Sequence, residues 1–248
     1  DRPGTTEEIL DWVFAPEVGT RRWNDPAYDR TGGHVPEVFV ALMDRDGLGS
    51  EAAPGYSCWA LSFLEGARML RSYAKYDKHD FFRDFPKYQQ FFRSLTRWNC
   101  LDAVTPPIGD SGAMGAWGTV GLSADTMQTA FELFGDEVFA RYLIRERGGK
   151  VDGIHGSVFE PDPEALGQRV AAIATAEKPP LESVLLDGYG LAILQAPQRD
   201  AGRAAWLYFG RNTGHGHTDR LNLGLYAHNV DMLPDLGYPE YASGRPRD

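Results

Sequence analysis

GHGHTDRLNLGLYAHNVDMLPDLGY, running from Gly214 to Tyr238, concentrates more chemistry than any other stretch of the chain. His215, His217 and Asp219 stand at alternate positions, and alternate side chains of a strand share a face. The same parity continues through Leu221, Leu223 and Leu225, which predicts a strand face that is reactive at its start and enters a core further along. The pattern breaks at Ala227-His228-Asn229. Asn tolerates positive φ, so a tight hairpin turn is expected there. A second strand follows from Val230 to Leu233, closed by Pro234, which has no N–H to donate to a ladder. The hairpin is expected to carry Asp235 back toward His217.

Upstream of this stretch the hydrophobic period is helical. Residues 5 to 14 open with Thr5 and Thr6 ahead of two acidic residues, a helix N-terminus. Helical spacing returns over 36–43, 56–73, 85–98, 124–134, 136–147 and 163–176. Gly- and Pro-rich loops separate these segments, among them 16–33, 44–49 and the run from Pro106 to Gly118. Ser183 to Gln195 and Ala204 to Gly210 then read as extended. The expected organisation is α+β in two domains, with an all-α part over 1–178 and antiparallel β from 181 to 248. Lys178-Pro179-Pro180 marks the junction.

The chain has 248 residues, is 42% hydrophobic and 12% aromatic, and is therefore globular with a sizeable core. Its net charge of -10 argues against nucleic acid as a partner, because phosphate binding wants a basic face. No apolar run approaches the roughly 20 residues that span a bilayer. The first residue is Asp1 rather than Met, which reads as a processed or excised piece. Cys58 and Cys100 read as two buried thiols rather than a disulfide.

The His-x-His-x-Asp spacing of residues 215–219 points to a metal or a reactive imidazole. The metallo-β-lactamase pattern would carry another His directly after the Asp. Arg220 stands there instead, and a strand rather than a helix follows. With the helical region, the hairpin and this cluster assembled, the chain resembles the heparinase II/III-like polysaccharide lyases. The resemblance is most specific in residues 209–238, where the quoted stretch is similar to the family's sandwich signature. It extends to DGLGSEAAPGYS, residues 46–57, which is similar to the loop that precedes a toroid helix. Nearly the whole chain is covered, although between 75 and 180 architecture rather than motif carries the likeness.

The resemblance implies an incomplete α/α toroid followed by the start of an antiparallel β-sandwich. It implies β-elimination on a uronic-acid polysaccharide, with an acidic polysaccharide or oligosaccharide as partner and a secreted or periplasmic setting. Tyr56 falls at the catalytic tyrosine and His215 at the catalytic histidine. His217 and Asp235 fall at the structural zinc site that some members have; no organic cofactor is implied. By the same resemblance, the segment that neutralises the substrate carboxylate lies upstream of residue 1 and a further metal ligand beyond residue 248.

The chemistry is consistent with those residue types. Elimination next to a uronic acid removes a carbon-bound proton, stabilises an enolate-like charge and protonates a leaving oxygen. A phenol and an imidazole share that proton traffic. The substrate carboxylate must be offset by positive charge, for which Arg22, Arg30 and Arg45 are the loop candidates, with Glu51 as a further site residue. His34, His79, His155 and His228 read as surface or capping residues. Two competing functions remain, a non-catalytic acidic-sugar-binding or metal-stabilised protein on the same scaffold and a toroid-type glycoside hydrolase. The hydrolase would want two opposed carboxylates.

Overall fold

The computed structural model describes residues 5–15, 35–111, 118–156, 161–177, 179–196, 202–218, 221–228, 230–233 and 235. Among these, helices precede strands. The helices are α1 (Thr5–Phe14), α2 (Val35–Ala41), α3 (Pro54–Ser57), α4 (Leu64–Ser72), α5 (Phe81–Asp84), α6 (Pro86–Arg97), α7 (Ala124–Phe134), α8 (Glu137–Glu146) and α9 (Glu164–Thr175). The strands are β1 (Val184–Leu186), β2 (Leu191–Ala196), β3 (Arg203–Tyr208), β4 (Asn222–Ala227) and β5 (Val230–Leu233). The fold is thus α+β, with the change of period near residue 180 marking the change of structure. No helix of the described residues is long and apolar enough to cross a membrane.

Local chemistry sets the helix ends. Ser123 accepts the Thr126 N–H at 3.1 Å to start α7, and Gly135 closes it in the left-handed region. Asp136 then accepts from Val138 N at 3.2 Å and starts α8. Asp80 caps α5, a single turn within a stretch the periodicity leaves unassigned, by accepting from Phe82 N and Arg83 N at 2.9 and 2.7 Å. Residues 56–73, which read as one amphipathic helix, form three pieces. Between α3 and α4 runs a 3-10 segment, Cys58–Phe63. The hydroxyls of Ser57 and Ser62 donate to the backbone carbonyls of Glu51 and Trp59, at 2.5 and 2.7 Å, and such local bonds compete with a regular α ladder.

The sheet is a five-stranded antiparallel meander in the order β1-β2-β3-β4-β5. The β4–β5 hairpin has the expected position, with Ala227 paired to Val230 across a two-residue turn in which His228 takes φ 54°. Asn229 and Pro234 lie outside the described residues, as does Asp219.

The parity expected for β4 is overturned. β4 starts only at Asn222, residues 211–218 form a loop, and Leu221 adopts φ 65°. Leu221, Leu223 and Leu225 are 67%, 53% and 38% exposed, while Gly224 and Tyr226 face inward. The reason lies across the ladder. Trp206 pairs with Gly224, and a Cβ at Gly224 would fall 2.1 Å from the indole ring. The inner face therefore holds Trp206 and Tyr226, and the leucines must take the other side.

One core joins helices and sheet. Phe39, Tyr88, Phe91, Phe92 and Leu95 pack in the same buried cluster as Leu191, Ile193 and Trp206. Trp98 meets Tyr189 edge to face at 6.0 Å. Both cysteines are buried and free, and burial pushes each thiol up to about 12, which leaves them inert packing groups.

Candidate functional site

Three loops converge between the helices and the sheet. The first, residues 44–53, runs into α3. Asp44 Oδ1 accepts from Asp46 N and Leu48 N at 2.8 and 3.1 Å, which folds the loop on itself. Asp46 Oδ2 then accepts from Gly188 N and Tyr189 N at 2.7 and 3.0 Å in the β1–β2 turn. The Tyr189 hydroxyl donates to the Ala52 carbonyl. This loop is bonded into the sheet along its length.

The second loop follows β3. Thr213 grips the first loop twice, accepting from Ala52 N at 3.2 Å and donating its hydroxyl to Ser50 O at 2.5 Å. The next residues are Gly214-His215-Gly216-His217. The Tyr56 ring, one residue into the second half of α3, lies on the His215 imidazole with centroids 3.4 Å apart and planes 10° from parallel. His215 Nδ1 meets Glu51 Oε2 at 2.5 Å. A carboxylate accepts from an N–H, so this contact puts the ring proton on Nδ1 and leaves Nε2 as the basic nitrogen. Nε2 has no hydrogen-bond partner among the described residues. Tyr56 is 39% exposed and the His215 side chain 41%, so both reach solvent while their backbones are held.

The third loop, residues 108–111, supplies groups that the sequence reading passed over as a loop. Asp110 N donates to His215 O at 2.9 Å, and Asp110 Oδ1 meets His217 Nε2 at 3.0 Å. Ser111 Oγ accepts from Gly55 N at 2.9 Å, which ties the same loop to the start of α3. Gly109 takes φ 59°, and a Cβ there would fall 2.5 Å from His215 O. No spacing rule links residue 110 to residue 217; the only available signal was the pair of acceptors in IGDSG between glycines.

The candidate residues are distributed as follows. Tyr56, His215 and Glu51 are in mutual contact through His215. His217 is engaged by Asp110, and Asp235 accepts from the Asn222 side-chain amide at the foot of β4. Arg45 forms an exposed ion pair with Asp187 at 2.7 Å, a contact of small energetic weight. Arg22 and Arg30 lie outside the described residues.

A structural zinc wants four donors. Among the described residues, no group of three or more His, Cys, Asp and Glu side chains is arranged to hold a metal ion. His217 and Asp110 give such an ion two neighbouring donors, an incomplete fit. What the assembled groups can do is move protons. Nε2 of His215 and the Tyr56 hydroxyl sit on one exposed patch, the first backed by a carboxylate that offsets an imidazolium. The chain matches no family model and no curated protein.

Proposed function

We propose that the protein is a polysaccharide lyase of the heparinase II/III-like kind, acting on a uronic-acid polymer by β-elimination in a secreted or periplasmic setting. The observation that carries this reading is the Tyr56–His215 contact. A phenol from the helical part and an imidazole from the sheet part share one exposed patch, and Glu51 backs the imidazole.

In this reading Nε2 of His215 takes the carbon-bound proton beside the substrate carboxylate, and the Glu51 charge offsets the imidazolium that forms. The electrons of that C–H bond become the new carbon–carbon double bond as the glycosidic C–O bond breaks. The Tyr56 hydroxyl gives its proton to the departing oxygen, so each site group handles one proton. Positive charge for the substrate carboxylate falls to Arg22 and Arg30, while Arg45 is occupied by Asp187.

The architecture proposed with it is part of an α/α toroid followed by the first layer of a β-sandwich. Support comes from the outward face of the sheet. Leu194, Ala205, Leu225 and Leu233 lie in register across four strands, and Leu185, Ala192, Leu207 and Leu223 form the row beside them. An apolar face of this extent suits a second sheet packed upon it. A toroid-type hydrolase has less support, because Glu51 and Asp110 are each engaged by a histidine rather than opposed across a gap.

Elimination leaves a conjugated double bond. The test is ultraviolet absorbance during incubation with uronic-acid polymers, using the longest chain that carries this sequence. A rise that disappears in His215→Ala supports the reading. Binding without any rise assigns the scaffold to a non-catalytic sugar-binding protein, and new reducing ends without absorbance assign it to hydrolysis. Zinc content of the wild type against His217→Ala tests the metal separately; equal content removes it.

A further inference from the structure

The described part of the molecule holds a cavity of about 470 Å³ that no residue of the Tyr56–His215 site lines. It lies where the C-terminal end of α6 and one face of α8, from Val138 to Arg145, meet the connector that enters β1. Three guanidinium groups border it, Arg97 from the last turn of α6 and Arg141 and Arg145 from α8. Its apolar lining comes from Val138 on α8, from Pro179, Pro180 and Leu181 of the connector, and from Val184 at the start of β1.

The three arginines are not equally committed. Arg145 is spent: it donates to the Asp102 carbonyl and to Glu146, and its guanidinium lies over the Tyr142 ring at 4.3 Å. Arg141 makes one long contact, 3.4 Å to the exposed Glu137. Arg97 makes no hydrogen bond or ion pair among the described residues. Two carboxylates also border the cavity. Asp102 is occupied, accepting from the Tyr142 hydroxyl at 2.6 Å, and Glu182 is exposed on the connector. Glu146 offsets Arg145, and Glu137 only loosely contacts Arg141, so among the described residues the cation left without a counter-charge at the cavity wall is Arg97, with Arg141 beside it only weakly held. An underused guanidinium fork beside an apolar wall is the arrangement that receives an oxyanion two oxygens at a time, as a fork receives a carboxylate, phosphate or sulfate edge.

The cavity is distinct from the Tyr56–His215 patch. Gln195 and Val184 border it, and they stand at the end of β2 and the start of β1. The loop that carries His215 leaves β3 after Tyr208, which pairs with Leu191 at the other end of β2. Four residue-to-residue steps lead from Leu191 to Gln195, about 13 Å along the strand. The two places sit at opposite ends of the same strands.

We infer that this cavity is a second ligand site, taking a small organic oxyanion with a compact apolar body. The charged group would meet Arg97 and Arg141 while the body rests on Pro180, Leu181 and Val184. The volume lies within the range of small-molecule pockets.

Phenyl sulfate serves as the probe, with benzyl alcohol as the neutral control and inorganic sulfate as the control without a body. Binding is followed by isothermal titration calorimetry on the full chain. The expected result is one phenyl sulfate per chain, with both controls at least about tenfold weaker. Arg97→Glu and Arg141→Gln should each weaken the probe about tenfold or more, with circular dichroism unchanged, while His215→Ala leaves it unaltered. The inference is overturned if the wild type takes up no phenyl sulfate or if benzyl alcohol binds as well. It also falls if inorganic sulfate binds equally, or if His215→Ala abolishes binding that Arg97→Glu leaves intact.

Discussion

The Tyr56 ring lies flat against the His215 imidazole, centroids 3.4 Å apart and planes within 10° of parallel, although 159 positions separate the two residues in the chain. Tyr56→Phe keeps the ring and removes only the hydroxyl. If the phenol supplies a proton, turnover falls about 10²- to 10⁴-fold. Thermal stability should hardly move, because the stacking surface survives. An unchanged elimination rate in this variant would remove Tyr56 from the reaction.

Glu51→Gln probes the opposite side of the imidazole. Glutamine retains an acceptor oxygen near Nδ1 but not the charge that offsets an imidazolium. Turnover is expected to drop by about 10²-fold or more with KM little changed, since the loss falls on the step in which the ring becomes charged. Steady-state kinetics check this; a rise in KM alone would place Glu51 on the substrate rather than behind the histidine.

The contact between the third loop and the histidine loop can be weighed with two glycines of matched backbone. Gly109 takes φ 59° and Gly148 takes φ 64°. A Cβ on Gly148 meets nothing within 4 Å, whereas one on Gly109 meets His215 O at 2.5 Å. Gly148→Ala should therefore cost about 1 kcal/mol from the left-handed backbone alone. Gly109→Ala should cost at least about 1 kcal/mol beyond that and lower activity with it, because neither backbone can yield without breaking the Asp110–His215 bond. Equal urea midpoints for the two variants would show that the loops can part freely.

The reach of sequence reading has a physical boundary here. Helices α7, α8 and α9 were legible because their apolar period is interrupted at the right places by Ser123, Gly135, Asp136 and Pro163. The β4–β5 hairpin was legible for the same local reason. The face of β4 that packs on the helices was misread because alternation fixes only which residues go together, and Trp206 on the neighbouring strand gives that side to Gly224 and Tyr226 and leaves the leucines on the other. Tyr56, His215 and Glu51 were each singled out, yet their mutual contact, and the partnership of Asp110 with His217, depend on three loops meeting in space.

Asp44 predicts a pH dependence of stability. Its side chain is 3% exposed, and Oδ1 accepts two backbone N–H bonds while Oδ2 is without a hydrogen-bond partner. Burial pushes it up to about 6 from an ordinary value of 3.8; the two N–H bonds and Arg211, 3.7 Å away, oppose the rise, and the neighbouring Asp46 adds to it. The folded chain therefore holds this proton more tightly than the unfolded chain does. The contribution to stability is fully present below about pH 4 and is lost as pH rises through about 6. Its size is about 3 kcal/mol at most, from 1.36 kcal/mol per tenfold change in proton affinity. Asp44→Asn keeps an acceptor for the two N–H groups and cannot ionise. Urea unfolding at pH 4.5, 5.5, 6.5 and 7.5 should show the wild type losing stability relative to Asp44→Asn across this interval and levelling above pH 7. Arg211→Ala should deepen the loss by removing the nearby positive charge. A difference between wild type and Asp44→Asn that stays constant with pH would mean that Asp44 ionises in the folded protein as readily as in the unfolded chain.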